Sequence, residues 1–301
     1  MKQRPILRFL LASLCVAAVA HAQSTKKKPT SKLYVADLVG DAQIDRGTEI
    51  DDLTKKSVFS AEGASLETKA VSNTTVVLSN GTGVYVDVNT RMQIKAFEQE
   101  AFRPNRSDLE DEPSVSRTKL YLDHGVIGVS TSKMVAGSTM LYETSLATAS
   151  IRGRQAVIVA EDNLTVISMV QGEATVQAGP LDRPRLVKNH QQIIIHPGNP
   201  GEANIVEIQD IPDGEDEDSM QWLEYRVVTA DSARKLVYFE VQARKGDGND
   251  GSIGTFDGAS NDSDGANGGS GSGNNQIVAV PVAPANPPID TNVSPANLKS
   301  H

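Results

Sequence analysis

The chain all but lacks cysteine. Its one thiol, Cys15, lies in an apolar stretch near the N-terminus, so nothing after it can form a disulfide or offer a thiolate to a metal. Aromatic residues are scarce at 4%, which leaves any core to Val, Ile, Leu and Ala, a diet that suits strands better than helices. Excess positive charge is missing too. The formal net charge is -9, and removal of Lys2, Arg4 and Arg8 with a leader makes the mature chain more acidic, so no nucleic-acid partner is expected. The metalloprotease pattern H-E-x-x-H and the nucleophile elbow G-x-S-x-G are both absent.

What the N-terminus does have is an export signal. Lys2, Arg4 and Arg8 precede the apolar run Phe9 to Val19, too short to span a bilayer comfortably, and Ala20-His21-Ala22 is an A-x-A cleavage site. Residues 1–22 are read as a signal peptide. Leu14 stands before Cys15, where a lipidation signal wants a small residue. The mature chain then has no transmembrane segment and is expected in the periplasm or at the cell surface. Lys26-Lys27-Lys28 falls in a basic linker, 23–32.

From 33 to 209 the chain reads as one all-β domain of many short strands, either solenoid or sandwich-like. Val84, Val86 and Val88 alternate with Tyr85 and Asp87, the period of a half-buried strand. Thr74 to Leu78 precedes them, and Asn80-Gly81 predicts a hairpin lengthened by Ser79 and Thr82. Met92, Ile94 and Ala96 alternate likewise. Turns are expected at Asp123-His124-Gly125, Gln171-Gly172-Glu173 and Lys188-Asn189. Val157-Ile158-Val159 has the continuous apolar character of a strand covered on both faces.

Residues 97–116 interrupt the pattern with Pro104, Pro113 and mixed charges, a solvated insertion and a candidate contact loop. After the acidic run Asp210 to Asp218, Met220, Leu223, Val227 and Ala230 recur at helical spacing, which predicts a helix from about Ser219 to Leu236. It is expected to pack across an open end of the β-domain. Val237 to Val241 either continues it or forms a last strand. Residues 244–301, rich in Gly, Asn and Asp and later in Pro, predict a disordered tail.

Several short segments occur in the order of the FecR domain family. They are Gly63-Ala64-Ser65-Leu66-Glu67-Thr68, Thr74 to Thr82 with its Asn80-Gly81, Asp123-His124-Gly125-Val126, Ala149-Ser150-Ile151-Arg152-Gly153-Arg154-Gln155-Ala156-Val157, and Val170-Gln171-Gly172-Glu173-Ala174. The chain resembles that family over roughly residues 38 to 195. Ala64 and Arg154 depart from its pattern, which has an acid and a threonine there. The resemblance implies a β-rich, non-enzymatic module used in signalling or protein contact. Founding members carry a cytoplasmic helical part and a membrane span. A cleavable leader replaces those here, so the sigma-regulating role is not carried over.

The positions singled out are Arg152, Gly153, Gly125, Gly172 and Gly81. Gly153 permits a sharp turn or a close strand approach. Arg152, with five donors in a rigid fork, either staples loop carbonyls or contacts a ligand. His190 and His196 are too far apart along one strand to share a metal. Gly246-Asp247-Gly248-Asn249-Asp250-Gly251 matches a dinucleotide fingerprint without the helix that must follow it. No catalytic residue, cofactor or metal is assigned. The expected partner is an envelope protein or a cell-wall glycan. The rival readings are a secreted carbohydrate-active hydrolase, tested at Glu161 or Asp162, and a self-assembling surface protein.

Overall fold

Alternating aliphatic residues place most of the described chain in strands, as their period requires. The computed structural model describes residues 31–102, 110–214, 219–243 and 275–282. The leader, most of the basic linker and most of the expected tail lie outside the described residues. In chain order the strands are β1 (Lys32–Val39), β2 (Ala42–Asp45), β3 (Ile50–Asp52), β4 (Val58–Ser60), β5 (Ser65–Thr68), β6 (Asn73–Leu78), β7 (Gly83–Val86), β8 (Arg91–Gln99), β9 (Ser116–Ser130), β10 (Thr139–Glu143), β11 (Thr148–Glu161), β12 (Leu164–Gln177), β13 (Arg185–Val187), β14 (Gln191–His196) and β15 (Ile205–Asp210). The helix α1 (Met220–Arg234) and a hairpin of β16 (Val237–Ala243) with β17 (Asn275–Pro281) follow.

Three long strands decide the architecture. The first part of β9 pairs with β8 and β10, and its second part with β7 and β11. The first part of β11 pairs with β10. The two parts of β12 take β14 and then β13 as outer neighbours. One sheet thus has two halves folded over a shared aliphatic interior that includes Leu33, Ile44, Leu66, Ile94, Leu120, Ile158 and Ile167. Because β10 joins the first parts of β9 and β11 while their second parts join each other, these three strands close a small ring. Of the two architectures left open by the sequence, the molecule takes the sandwich-like one.

Each long strand changes its inward parity where it bends. In β9, Leu120 and Leu122 face inward, then Ile127 and Val129. In β11, Ala149 and Ile151 give way to Ala156, Ile158 and Ala160; in β12, Ile167 and Met169 give way to Ala174 and Val176. A single extra residue flips a strand's faces in this way. The switches fall at Gly125, between Gly153 and Gln155, and at Gly172. The turns expected at 123–125 and 171–173 are therefore bends within continuous strands. Pairing runs through them: Gly125 opposes Ala160, and Gly172 opposes Gly153. In β8 an irregularity between Ile94 and Ala96 turns Phe97 inward and leaves Ala96 half-buried, a departure from simple alternation.

The outer face of one half is covered. Ile158 enters the interior, whereas Val157 packs with Val170, Ile211, Leu223 and Val227 beneath α1, so the continuous apolar run does serve two faces. The helix lies across that sheet face. Two strand glycines permit the contact: a Cβ on Gly83 would lie 2.9 Å from the Ala230 carbonyl carbon, and one on Gly128 would lie 2.6 Å from the Arg226 Cβ. Beyond Lys235 the β-branched and aromatic alternation of Val237-Tyr238-Phe239 becomes β16. Val237, Phe239 and Ala279 join Tyr34, Val77, Phe102 and Ala233 in a second small core. Within the stretch expected to be tail, Asn275–Pro281 is thus a strand. At the other boundary, Ser31 is buried and Lys32 already belongs to β1.

Candidate functional site

The sequence-predicted positions fall into two groups. Gly125, Gly153 and Gly172 mark the bends and act through the backbone. Gly81 sits in the turn between β6 and β7 at φ +84, where its NH donates to the Leu78 carbonyl at 2.9 Å and its own carbonyl accepts from Ser132 Oγ at 2.9 Å. That turn forms one wall of a cleft of about 110 Å³. Asp111, Glu112, Pro113, Ser132, Arg234, Val237, Tyr238 and Phe239 form the rest. Arg152 lies elsewhere, exposed on β11 and opposite Glu173.

An ionic node fixes the cleft. Glu110 receives Arg154 Nη1 at 2.7 Å, Arg234 Nη2 at 3.3 Å and Lys235 Nζ at 3.7 Å. Asp231 holds Arg234 Nε at 2.8 Å and Lys235 Nζ at 2.7 Å, and accepts from Ser130 Oγ at 2.9 Å. The Arg234 side chain is only 1% exposed, so its charge is satisfied almost wholly by protein. Desolvation would raise both carboxyls, but the cations win. Arg234, Lys235 and Arg154 hold Glu110 below the usual carboxylate range, and Lys235, Ser130 and Arg234 do the same for Asp231. Arg154, one of the two residues that depart from the FecR pattern, is the arginine that ties β11 to this node.

Beneath the cleft lies a buried polar layer. Asn80 Nδ2 donates to Ser116 Oγ at 3.1 Å and to Thr118 Oγ1 at 3.2 Å. Ser116 Oγ in turn donates to Glu112, which also accepts from the Val135 NH at 3.2 Å. Ser79 Oγ donates to Gln99 Oε1 at 2.7 Å, and Gln99 Nε2 returns a bond to the Ser79 carbonyl at 3.1 Å. Burial pushes the Glu112 carboxyl up, against the hydrogen bonds from Ser116, Ser138 and Val135. This layer locks the 110–116 strip to the β6–β7 turn.

The acidic residues and histidines that could carry chemistry do not converge. Glu161 and Asp162 are exposed at the tip of the β11–β12 hairpin. His124 is exposed beside Asp123, His190 occupies a turn at φ +62, and His196 meets the Asn163 carbonyl. Among the described residues no group of three His, Cys, Asp or Glu side chains is arranged to hold a metal, and no helix is long and apolar enough to cross a membrane. Sequence reading missed Asp231, Arg234 and Lys235. Their i, i+3 and i, i+4 spacing on the expected helix was the available signal.

No family model and no curated protein matches the chain. Among solved structures, it is similar to two crystal structures, at 1.65 Å and 2.50 Å resolution, of a putative anti-sigma factor from Parabacteroides distasonis ATCC 8503. Each match has 16% identity and covers 48% of this chain, with TM-scores of 0.38 and 0.36. The match spans 59% of that protein, less than two thirds of its length. The likeness to the FecR family rests on the sequence motifs quoted above.

Proposed function

We propose that the chain is an exported, non-enzymatic binding module of the cell envelope whose protein partner seats in the cleft beside Gly81. The observation that carries this reading is the Glu110 node. Cations from β11 and the end of α1 converge on one carboxylate and hold the cleft's rim in a fixed geometry before any partner arrives. Pre-organisation of this kind lowers the ordering cost of association. The lining supports the same reading: Pro113, Val237, Tyr238 and Phe239 offer apolar and aromatic contact, flanked by Asp111 and Ser132. Export is supported by the leader pattern of residues 1–22.

The test is photo-crosslinking in cells that produce the native chain, with the crosslinker at Ser132, followed by fractionation and identification of the adduct. A discrete envelope protein should be captured, and Asp111→Arg or Pro113→Trp should abolish the adduct while the circular dichroism spectrum is unchanged. Recovery of the protein in the cytoplasm with its leader intact overturns the compartment. An adduct unaffected by both substitutions overturns the cleft.

A further inference from the structure

The second half of the sheet, which α1 does not cover, carries a polar groove of about 330 Å³ lined by Asp45, Gly47, Gly63, Ser65, Arg91, Gln93, Tyr121 and Asp123. We infer that this groove binds a neutral, polyhydroxylated chain, that is, an oligosaccharide lying across the strands. Four of its side chains form one row in strict register. Asp45 opposes Ser65, Ser65 opposes Gln93 and Gln93 opposes Tyr121, on β2, β5, β8 and β9. Three strand spacings of roughly 4.8 Å set the row's length at about 14 Å. A carboxylate, a hydroxyl, a primary amide and a phenol therefore recur at regular intervals along a line perpendicular to the strands. A chain of sugar rings presents hydroxyls in the same repeating manner.

The groove's charges select against other ligands. Its one cation, Arg91, is held by Glu67 at 3.1 Å. Asp45 and Asp123 leave the remaining surface acidic, so phosphates and polyanions are repelled. None of the lining residues is an aliphatic anchor of the kind an apolar peptide needs. Ser65, Gln93 and the Tyr121 hydroxyl make no side-chain hydrogen bond within the described residues; Gln93 and Tyr121 are half-buried, while Ser65, only 9% exposed, presents little surface to the groove. Tyr121 is also held in place: Lys95 Nζ lies 3.8 Å from its ring centroid without lining the groove, and Glu143 anchors Lys95 at 3.5 Å. A ring fixed in this way loses little freedom when a sugar packs against it.

The experiment is titration calorimetry of the mature full-length protein with three probes: cellohexaose, chitohexaose and heparin. Saturable binding of at least one neutral hexasaccharide is expected, and none of heparin. Preference for one hexasaccharide tells whether N-acetyl groups enter the groove. Gln93→Ala and Tyr121→Ala should each weaken binding roughly tenfold or more. Gln93→Ala alters a surface side chain and serves as the fold-neutral variant. Asp111→Arg, in the separate cleft, should leave the affinity unchanged, which separates this site from the protein-contact reading. Failure of both neutral probes to bind at millimolar concentration, binding of heparin alone, or binding that survives Gln93→Ala overturns the proposal.

Discussion

Arg226 of α1 and Asp87, which follows β7, form an ion pair across 139 residues of sequence, and each side chain is 11% exposed. The guanidinium also stacks on the Trp222 ring, 3.4 Å from its centroid, and donates from Nη1 to the Trp222 carbonyl at 2.9 Å. Eight residues further on, about two turns along the same helix face, Arg234 meets Ser130, Asp231 and Glu110. The helix is thus tied to the sheet by one arginine at its middle and another at its C-terminal end. Removal of one member of a buried pair leaves an uncompensated charge. Arg226→Leu and Asp87→Ala should each cost about 2–4 kcal/mol in urea unfolding. The double variant should cost less than their sum, by about 1–3 kcal/mol, because the pair acts as a unit.

The ties work only because backbone meets backbone beneath them. Gly83 and Gly128 sit where a Cβ would strike the Ala230 carbonyl and the Arg226 stem. Gly83→Ala should push the helix away from β7 and destabilise the fold by roughly 2–4 kcal/mol. Hydrogen exchange resolves the mechanism: amides of α1 should lose protection more than those of β11 and β12. Uniform loss across the domain would mean that the helix and sheet open together.

These contacts also show what a linear reading captures and what escapes it. Period-2 alternation, the 80–81 turn, the helix start and the two-faced Val157-Ile158-Val159 run are local properties, and each was legible. The bends at Gly125 and Gly172 were located but read as turns, because a glycine amid polar residues looks the same whether the strand stops or flexes. The discriminating signal was the parity of the aliphatic residues on either side. Gly83 and Gly128 passed unremarked, although a glycine inside a strand marks close approach of another backbone. The Asp87–Arg226 pair, the Glu110 node and the pairing of β16 with β17 join residues far apart in sequence, and no short-range pattern encodes them. The groove row of Asp45, Ser65, Gln93 and Tyr121 depends on strand order and register, which alternation alone leaves open.

The bend at Gly125 makes a separate prediction. Its φ is +95, and an added Cβ would lie 2.6 Å from the Thr90 Cα, a backbone atom with no freedom to rotate away. Thr90 Oγ1 also accepts the Val126 NH at 3.0 Å, so displacement of Thr90 breaks the link between the β7–β8 connection and β9. Gly125→Ala should cost about 2–4 kcal/mol through backbone strain and overlap together. Gly47, at φ +83 with no atom within 4 Å of an added Cβ, gives the control. Gly47→Ala meets strain alone and should cost about 1–2 kcal/mol. Equal melting shifts for the two variants would show that the Thr90 contact contributes nothing.

The last prediction concerns acid. Glu112 is buried in the polar layer, and desolvation raises its pKa above the ordinary 4.5 in spite of the hydrogen bonds from Ser116, Ser138 and Val135. A carboxyl whose pKa is higher when folded binds its proton more tightly in the native state. Its contribution to stability is complete below the unfolded value and is lost as pH rises through the raised folded value. Glu110, Asp231 and Glu143 have lowered values and behave oppositely: their contributions are present above the unfolded carboxylate range and are lost as pH falls through the folded values. Glu112→Gln keeps the shape and one acceptor oxygen for the Val135 NH, turns the other position into an NH2 that donates to the Ser116 hydroxyl, and removes the ionisation. At pH 7 the variant should therefore be more stable than the parent, by on the order of 1 kcal/mol, with the advantage gone below about pH 4. Urea midpoints measured from pH 3.5 to 7.5 for both proteins decide it. If the two curves stay parallel over that range, Glu112 ionises as easily in the fold as in water.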